Sequence, residues 1–211
     1  MIPVRTPCFL PWIYPGLVWR KNPDEKSLYL TFDDGPVMGP TEFVLETLRT
    51  FACKATFFCI GDNVRKYPEI FQQILHDGHT VGNHTFHHVN GWKTQASKYV
   101  EDVVMCQQQM QSDNSYSTEA RLFRPPYGRI TRKQIQLLNS YNIIMWDVLT
   151  HDYNNSLSPE KCLASSIRAT RNGSIIVFHD SFKAEKNMKF VLPRFISHCL
   201  DRGFQFKSLG S

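Results

Sequence analysis

The chain has 211 residues, enough for one sizeable core, and its 42% hydrophobic, 13% aromatic and 20% charged residues are those of an ordinary folded domain, which excludes disorder. Its net charge is +5, yet Lys and Arg form no run longer than a dipeptide such as Arg20-Lys21, Arg65-Lys66 or Arg132-Lys133, which excludes a dedicated nucleic-acid footprint. That mild positive balance fits an unselected surface first and a polyanionic or envelope-associated substrate second.

Six cysteines (Cys8, Cys53, Cys59, Cys106, Cys162 and Cys199) lie far apart with no CxxC pair, so neither a disulfide framework nor a thiolate zinc site is indicated. Several sit in apolar runs and read as free core thiols in a reducing compartment. The apolar stretch 8–19 is broken by Pro11 and Pro15 and lacks a small-residue cleavage site, so it reads as neither a signal peptide nor a membrane span. Residues 1–25 are expected to form an arm whose Phe9, Trp12, Tyr14 and Trp19 pack against a domain at 26–211, with contact to a membrane surface as the other reading. The location expected from these signals is cytoplasmic, with envelope association through the aromatic arm as the alternative.

From Lys26 onward short β-type runs alternate with helical patterns, the signature of βα units around a parallel sheet or barrel. Strand 27–32 is followed by a helix over 41–50, and the continuous apolar run 55–60 reads as a strand buried on both faces. A helix over 68–77 starts at a proline and stops at Gly78, and a short strand follows at 80–82. Next come a helix over 97–111, with the polar stretch 107–119 as its end running into a loop, and a brief strand at 122–124 that Pro125 and Pro126 terminate. The alternation closes with helix 130–139, strand 143–147, helix 159–170, strand 174–178, helix 187–199 and strand 205–207, about seven strands in all.

The chemically suspicious residues fall at strand ends. Asp33 and Asp34 follow the first strand and His84 the third, Arg124 and Asp147 close the fourth and fifth, and His179 follows the sixth. In parallel βα architectures the carboxyl ends of the strands share one side, so these groups converge there. His84 and His88 are four residues apart, which in a helical turn puts their imidazoles about 6 Å apart on one side, within reach of a shared metal. That spacing is weak alone and gains weight from the Asp33-Asp34 pair as a source of a third ligand. Two His and one carboxylate form an open, catalytic set that suits zinc, with cobalt or iron as alternatives. His87 points away if the turn is helical, and His76 and His79, which flank a helix stop, read as capping it or facing solvent. The prolines after Arg124 hold it as a fixed fork for a carboxylate and turn the Tyr127 or Gly128 N–H outward. His179, at the end of a buried strand, is suited to protonate a leaving amine or alcohol.

Together, Thr31-Phe32-Asp33-Asp34-Gly35-Pro36, His84-Thr85-Phe86-His87-His88, Arg124-Pro125-Pro126-Tyr127 and Ile176-Val177-Phe178-His179-Asp180 resemble, in order, the motifs of the polysaccharide deacetylase family, also called the NodB homology domain or carbohydrate esterase family 4. The resemblance covers about residues 26–207. It implies a distorted (β/α) barrel of the NodB type at 26–211, with a divalent metal, most often zinc, in a groove at the strand carboxyl ends. By matched position, Asp33 is implied as catalytic base, Asp34, His84 and His88 as metal ligands, and Arg124 as the residue that orients the base. Tyr127 is implied as the backbone oxyanion donor, His179 as catalytic acid, and Val177 as the apolar residue beside the acetyl methyl. The segment 146–153 departs from the family pattern: Leu149 stands where the family has an Asp that supports the catalytic His, and Tyr153 replaces a Trp while keeping an aromatic wall. Asp152 or Asp147 is then expected to support His179, with Asp152 favoured because it matches the second Asp of that motif.

The implied activity is hydrolysis of acetyl groups from N-acetylated sugars of a chitooligosaccharide or peptidoglycan type of glycan, by a protein expected to be monomeric and to bind no nucleic acid. A carbohydrate-binding module that has lost catalysis is the competing class, opposed by the presence of Asp33, Arg124 and His179, which a lectin does not need. A hydrolase of small non-peptide amides is the competing enzyme.

Overall fold

The sequence Ser-Leu-Tyr-Leu-Thr-Phe-Asp at Ser27–Asp33 forms β1, whose seven residues are all buried. A computed structural model of the chain, describing residues 3–113, 116 and 121–210, shows why no polar alternation was needed: β1 is a central strand covered on both faces. It is followed by α2 (Pro40–Thr50), β2 (Thr56–Cys59), α3 (Gly61–Lys66), α4 (Pro68–His76), β3 (Thr80–Asn83), α5 (Ala96–Gln111), β4 (Leu122–Phe123), α6 (Arg132–Leu137), β5 (Asn142–Ile143), β6 (Val148–Leu149), α7 (Pro159–Ala169), β7 (Ile175–His179), α8 (Glu185–Asp201) and β8 (Gln205–Phe206), with one short helix before it, α1 (Leu10–Ile13). The sheet path is β5-β4-β3-β2-β1-β7-β6, seven strands with every pairing parallel, and β8 pairs with the first residues of β1.

The two edges of that path, β5 and β6, are neighbours in sequence, separated only by residues 144–147. Seven flat strands would put their edges about 29 Å apart, whereas the connection reaches at most about 18 Å. The sheet therefore curls into a distorted barrel. The N-terminal arm lies along the remaining seam and bonds both sides of it. Val18 N–H donates to Ile143 O at 2.9 Å and Val18 O accepts from Met145 N–H at 2.7 Å, while Leu149 N–H donates to Val4 O at 2.8 Å and Thr6 N–H to Asp147 O at 2.9 Å. Leu17 and Trp19 are buried there and Tyr14 packs partly, but Phe9 and Trp12 stand in solvent, Trp12 at 87% exposure.

The period of two along β1 divides its side chains. Leu28, Leu30 and Phe32 face the helices and pack in the main core with Phe57 of β2, Phe178 of β7 and the apolar stripe of α8. The alternate residues turn toward the barrel interior: Tyr29 joins a smaller cluster with Phe58, Leu122 and Ile175, and Thr31 and Asp33 both bond Arg124. No helix among the described residues is long and apolar enough to cross a membrane. All six cysteines are free, five of them buried.

The expected strand 143–147 is split, because residues 144–147 carry the chain from one sheet edge to the other. The helix α3 was not anticipated. Part of the expected loop over 107–119 lies outside the described residues.

Candidate active site

Asp33 ends β1 and points into the barrel, and the next residues turn sharply. Asp34 adopts φ 82° and the Gly35-Pro36 peptide is cis. Gly35 N–H donates to the Asp180 carboxylate at 3.0 Å, and Thr41 Oγ1 donates to its other oxygen at 2.7 Å. A Cβ at position 35 would lie 1.9 Å from that carboxylate, so only glycine fits here. Asp180 is fully buried, and burial above all, with the nearby charge of Asp34, pushes its carboxyl up to about 8 against the Thr41 hydrogen bond. Asp180 was not singled out in the sequence beyond its place beside His179. Asn63 likewise was not: its side-chain amide donates to Asp34 O at 2.7 Å.

His84 follows β3. Its Nδ1 donates to Arg124 O at 2.7 Å, which leaves Nε2 with its lone pair free to bind an ion. Burial, the largest cause, holds its pKa down to about 4, so the ring is neutral at neutral pH. The chain from His84 to His88 is not the helical turn that the spacing suggests. It is a loop in which Thr85 (φ 64°) and His88 (φ 56°) are left-handed, and this brings the two imidazoles to 5.1 Å between ring centroids. Asp34 Oδ1 lies 3.7 Å from His84 Nε2 and 3.2 Å from His88 Nε2, and the three ligand atoms lie within 4.8 Å of one another. Burial raises the Asp34 pKa, but the hydrogen bond from His88 and the charges of His179, His84 and His88 outweigh it and hold the carboxyl well below the usual range. His87 is turned away, its Nδ1 at 2.6 Å from Asp102. His76 is exposed, whereas His79 is buried, with its Nδ1 accepting from Ala55 N–H, rather than facing solvent.

Arg124 is a fully buried charge, and its five donors explain how it is tolerated. One terminal nitrogen donates to Asp33 Oδ1 and Thr31 Oγ1, both at 2.7 Å, the other to Met145 O at 3.0 Å, and Nε to Ile144 O at 3.3 Å, with the Phe58 ring 4.1 Å from the guanidinium. Across the pocket, His179 Nδ1 donates to Asp152 Oδ1 at 2.7 Å, and the other oxygen of Asp152 accepts His179 N–H at 2.7 Å. Burial lowers the His179 pKa, but the charge and hydrogen bond of Asp152, with Asp34 and Asp33 behind them, raise it to about 9.

These groups surround a pocket of about 370 Å³ that Asp33, Asp34, His84, His88, Tyr127, Tyr153, Val177 and His179 all line, with Arg124 and Asp152 behind it. Tyr127 is left-handed at φ 60°, with its ring 4.6 Å from that of His88, and Tyr153 lies edge-on to His179 at 4.9 Å. Of the six non-glycine residues with positive φ among those described, Asp34, Thr85, His88, Tyr127 and His151 are at or next to this pocket, the concentration of backbone strain expected of a functional site. Arg129, Trp146, Leu149 and Lys183, none of them expected as ligands or catalysts, also line it.

Asp147 is not part of the site. Its carboxylate accepts from Ser174 Oγ at 2.6 Å and from Arg171 at 2.8 and 3.1 Å, at the amino end of β7, the opposite end from His179. It sits on the chain crossing between the sheet edges and cannot support His179.

The sequence pattern of the polysaccharide deacetylase family matches residues 20–146. This chain belongs to the polysaccharide deacetylase family. Among its relatives, a chitooligosaccharide deacetylase of Azorhizobium caulinodans is 34% identical over 167 residues, 78% of this chain and 79% of the relative. A peptidoglycan-N-acetylglucosamine deacetylase of Bacillus cereus is 32% identical over 160 residues, 75% of this chain, and the match spans only 57% of that relative's length. A crystal structure of a peptidoglycan N-acetylglucosamine deacetylase in complex with 4-naphthalen-1-yl-N-oxidanyl-benzamide superposes with a TM-score of 0.88 at 26% identity, covering 97% of this chain and 95% of that one. The donor set fits a divalent metal: one carboxylate held ionised and two imidazoles, one of them locked in the tautomer that presents Nε2, with pocket space beside them.

Proposed function

We propose that the protein removes acetyl groups from N-acetylated sugars of a peptidoglycan- or chitooligosaccharide-type glycan, with residues 26–211 as the catalytic domain and 1–25 as an arm on it. The observation that carries this reading is that the Asp34, His84 and His88 cluster lies in one pocket between a carboxylate, Asp33, and an imidazole, His179, each held by its own buried partner. Asp34, His84 and His88 would hold a divalent metal, zinc by the chemistry of the ligands, with cobalt as the substitute. When bound, that ion polarises the acetyl carbonyl and acidifies a water.

Asp33 accepts a proton from the attacking water, and the Arg124 ion pair holds its carboxylate aimed into the pocket. The Tyr127 backbone N–H donates to the oxygen that becomes negative as the carbonyl carbon turns tetrahedral. Asp152 fixes the His179 ring with Nδ1 as the donor to it, so Nε2–H faces the task of proton delivery to the sugar nitrogen. The C–N bond then breaks, the sugar amine departs neutral, and the acid product leaves as acetic acid that ionises to acetate in solution, while the proton held by Asp33 returns to His179. Val177 and Leu149, both buried, and the Tyr153 ring form an apolar wall for the acetyl methyl. Leu149 removes a charged neighbour from that wall, while Asp152 supplies the support for His179. Enzymatic detection of acetate released from chitooligosaccharides and from peptidoglycan tests the reading. Metal binding without acetate release from any N-acetylated glycan would point to a binding module instead.

A further inference from the structure

A second groove, of about 340 Å³, opens directly from the catalytic pocket, sharing Tyr127, Arg129 and Trp146 with it. Its far wall is built by the N-terminal arm, through Pro7, Leu10 and Tyr14, ahead of residue 20 where the family match begins. The walls are apolar and aromatic, as suits the C–H faces of a pyranose ring. No carboxylate lines the groove, and its one cation is Arg129.

Arg129 is half-buried and makes no ion pair within the described residues. Its guanidinium lies 5.2 Å from the Trp92 ring and 5.9 Å from the Tyr127 ring, and Trp92 is itself pinned by its indole N–H, which donates to Ile130 O at 3.3 Å. An arginine fork held in place by two rings and left without an acidic partner is prepared for a planar anion, and it loses little side-chain freedom on binding one. A single cation balances a monoanion, which favours a carboxylate over a phosphate. The continuity of the groove with the pocket places that carboxylate on the sugar next to the one being deacetylated.

We propose that this groove is a subsite for a sugar bearing a carboxylate, bound by Arg129, so that the preferred substrate is an acidic rather than a neutral N-acetylated glycan. The proposal rests on the deacetylase reading for its placement of the acetylated sugar. The carboxylate can belong to an ether-linked lactyl group on a hexosamine or to a uronic acid.

Binding is measured by tryptophan fluorescence, since Trp92 packs on Arg129 and Trp146 lines the groove, in the zinc-loaded Asp33→Asn protein, where bound glycan is not consumed. The probes are chitotetraose, a peptide-free tetrasaccharide alternating N-acetylglucosamine with its lactyl ether, the methyl ester of the latter, and a tetrasaccharide alternating N-acetylglucosamine with glucuronate. At low ionic strength at least one acid is expected to bind about fivefold more tightly than the neutral chain, and the lactyl acid, if it is that one, more tightly than its ester. Which acid shows the preference identifies the source of the carboxylate. Adding Arg129→Gln should bring the preference to about one. Equal affinity for acid, ester and neutral chain would overturn the proposal. So would a preference that survives Arg129→Gln or that disappears instead with Lys183→Gln, which removes the other cation of the pocket, over the Tyr153 ring. If the protein with Asp33 intact releases no acetate from any probe, the deacetylase reading fails, while the binding ratio still decides the subsite.

Discussion

Arg124 and Asp33 face each other inside the barrel, fully buried and nearly so, and each is tolerable only because of the other. Arg124→Ala leaves the nearly buried carboxylate without its cation, and such an orphan costs about 3–5 kcal/mol. Urea unfolding of the variant should show that loss, and Arg124→Ala with unchanged stability would count against the buried pair. His179 titrates under opposed influences: burial lowers its pKa, and Asp152 chiefly raises it to about 9. Because the folded value lies above the unfolded value of about 6.5, the stability that protonated His179 contributes is full below the latter and is lost as pH climbs through the former. Activity that needs the protonated ring falls over the same climb. A divalent ion at Asp34 cancels part of that residue's pull, so the alkaline limb of kcat/KM lies below 9. Asp152→Asn removes the dominant raising cause and leaves burial, so the limb should move to lower pH by at least about one unit. A pH profile with an unmoved limb would mean that Asp152 does not tune His179.

The strand ends do most of the positioning. β1 and β7, paired in register from Tyr29 with Ile175 to Asp33 with His179, set the two carboxylates and the imidazole side by side, and Asp180 ties the turn after β1 to the end of β7. Gly35→Ala drives a methyl into Asp180, so it should weaken metal binding at least about tenfold, read by zinc titration, and lower the thermal midpoint. Much of this was legible in the sequence, because short apolar β-type runs alternating with helical patterns located β1 and β7, and the polar residues just beyond them had to share one side of a parallel sheet. The His84 and His88 pair was legible as a pair and not as a conformation. Its convergence depends on left-handed backbone at Thr85 and His88, and nothing about a threonine or a histidine announces that. Asp147 was misplaced for a related reason: the apolar run before it suggested a strand over 143–147 that Asp147 closes, but the chain there crosses between sheet edges and turns the side chain to Ser174 and Arg171. Asp180 escaped notice because its role is a contact with a backbone amide 145 residues away in sequence.

At the scale of the whole molecule, the barrel is closed by chain that lies before the family match. The arm bonds the β5 and β6 edges and buries Leu17 and Trp19. Deleting residues 1–19 should cost about 3–6 kcal/mol from these two side chains alone, seen as a lower thermal midpoint and as aggregation through the uncovered edges. A deletion that leaves the midpoint in place would mean that the seam holds without it. The central claim is that Asp34, His84 and His88 carry the metal on which hydrolysis by Asp33 depends. It is tested most directly by acetate release from chitooligosaccharides and peptidoglycan after chelation and stepwise return of zinc or cobalt. The account predicts that chelated protein stays folded by circular dichroism and releases no acetate, and that one equivalent of metal restores activity. His84→Ala should bind no metal, and Asp33→Asn should bind it without turning over. Full acetate release by the chelated protein, or by His84→Ala, would contradict the account.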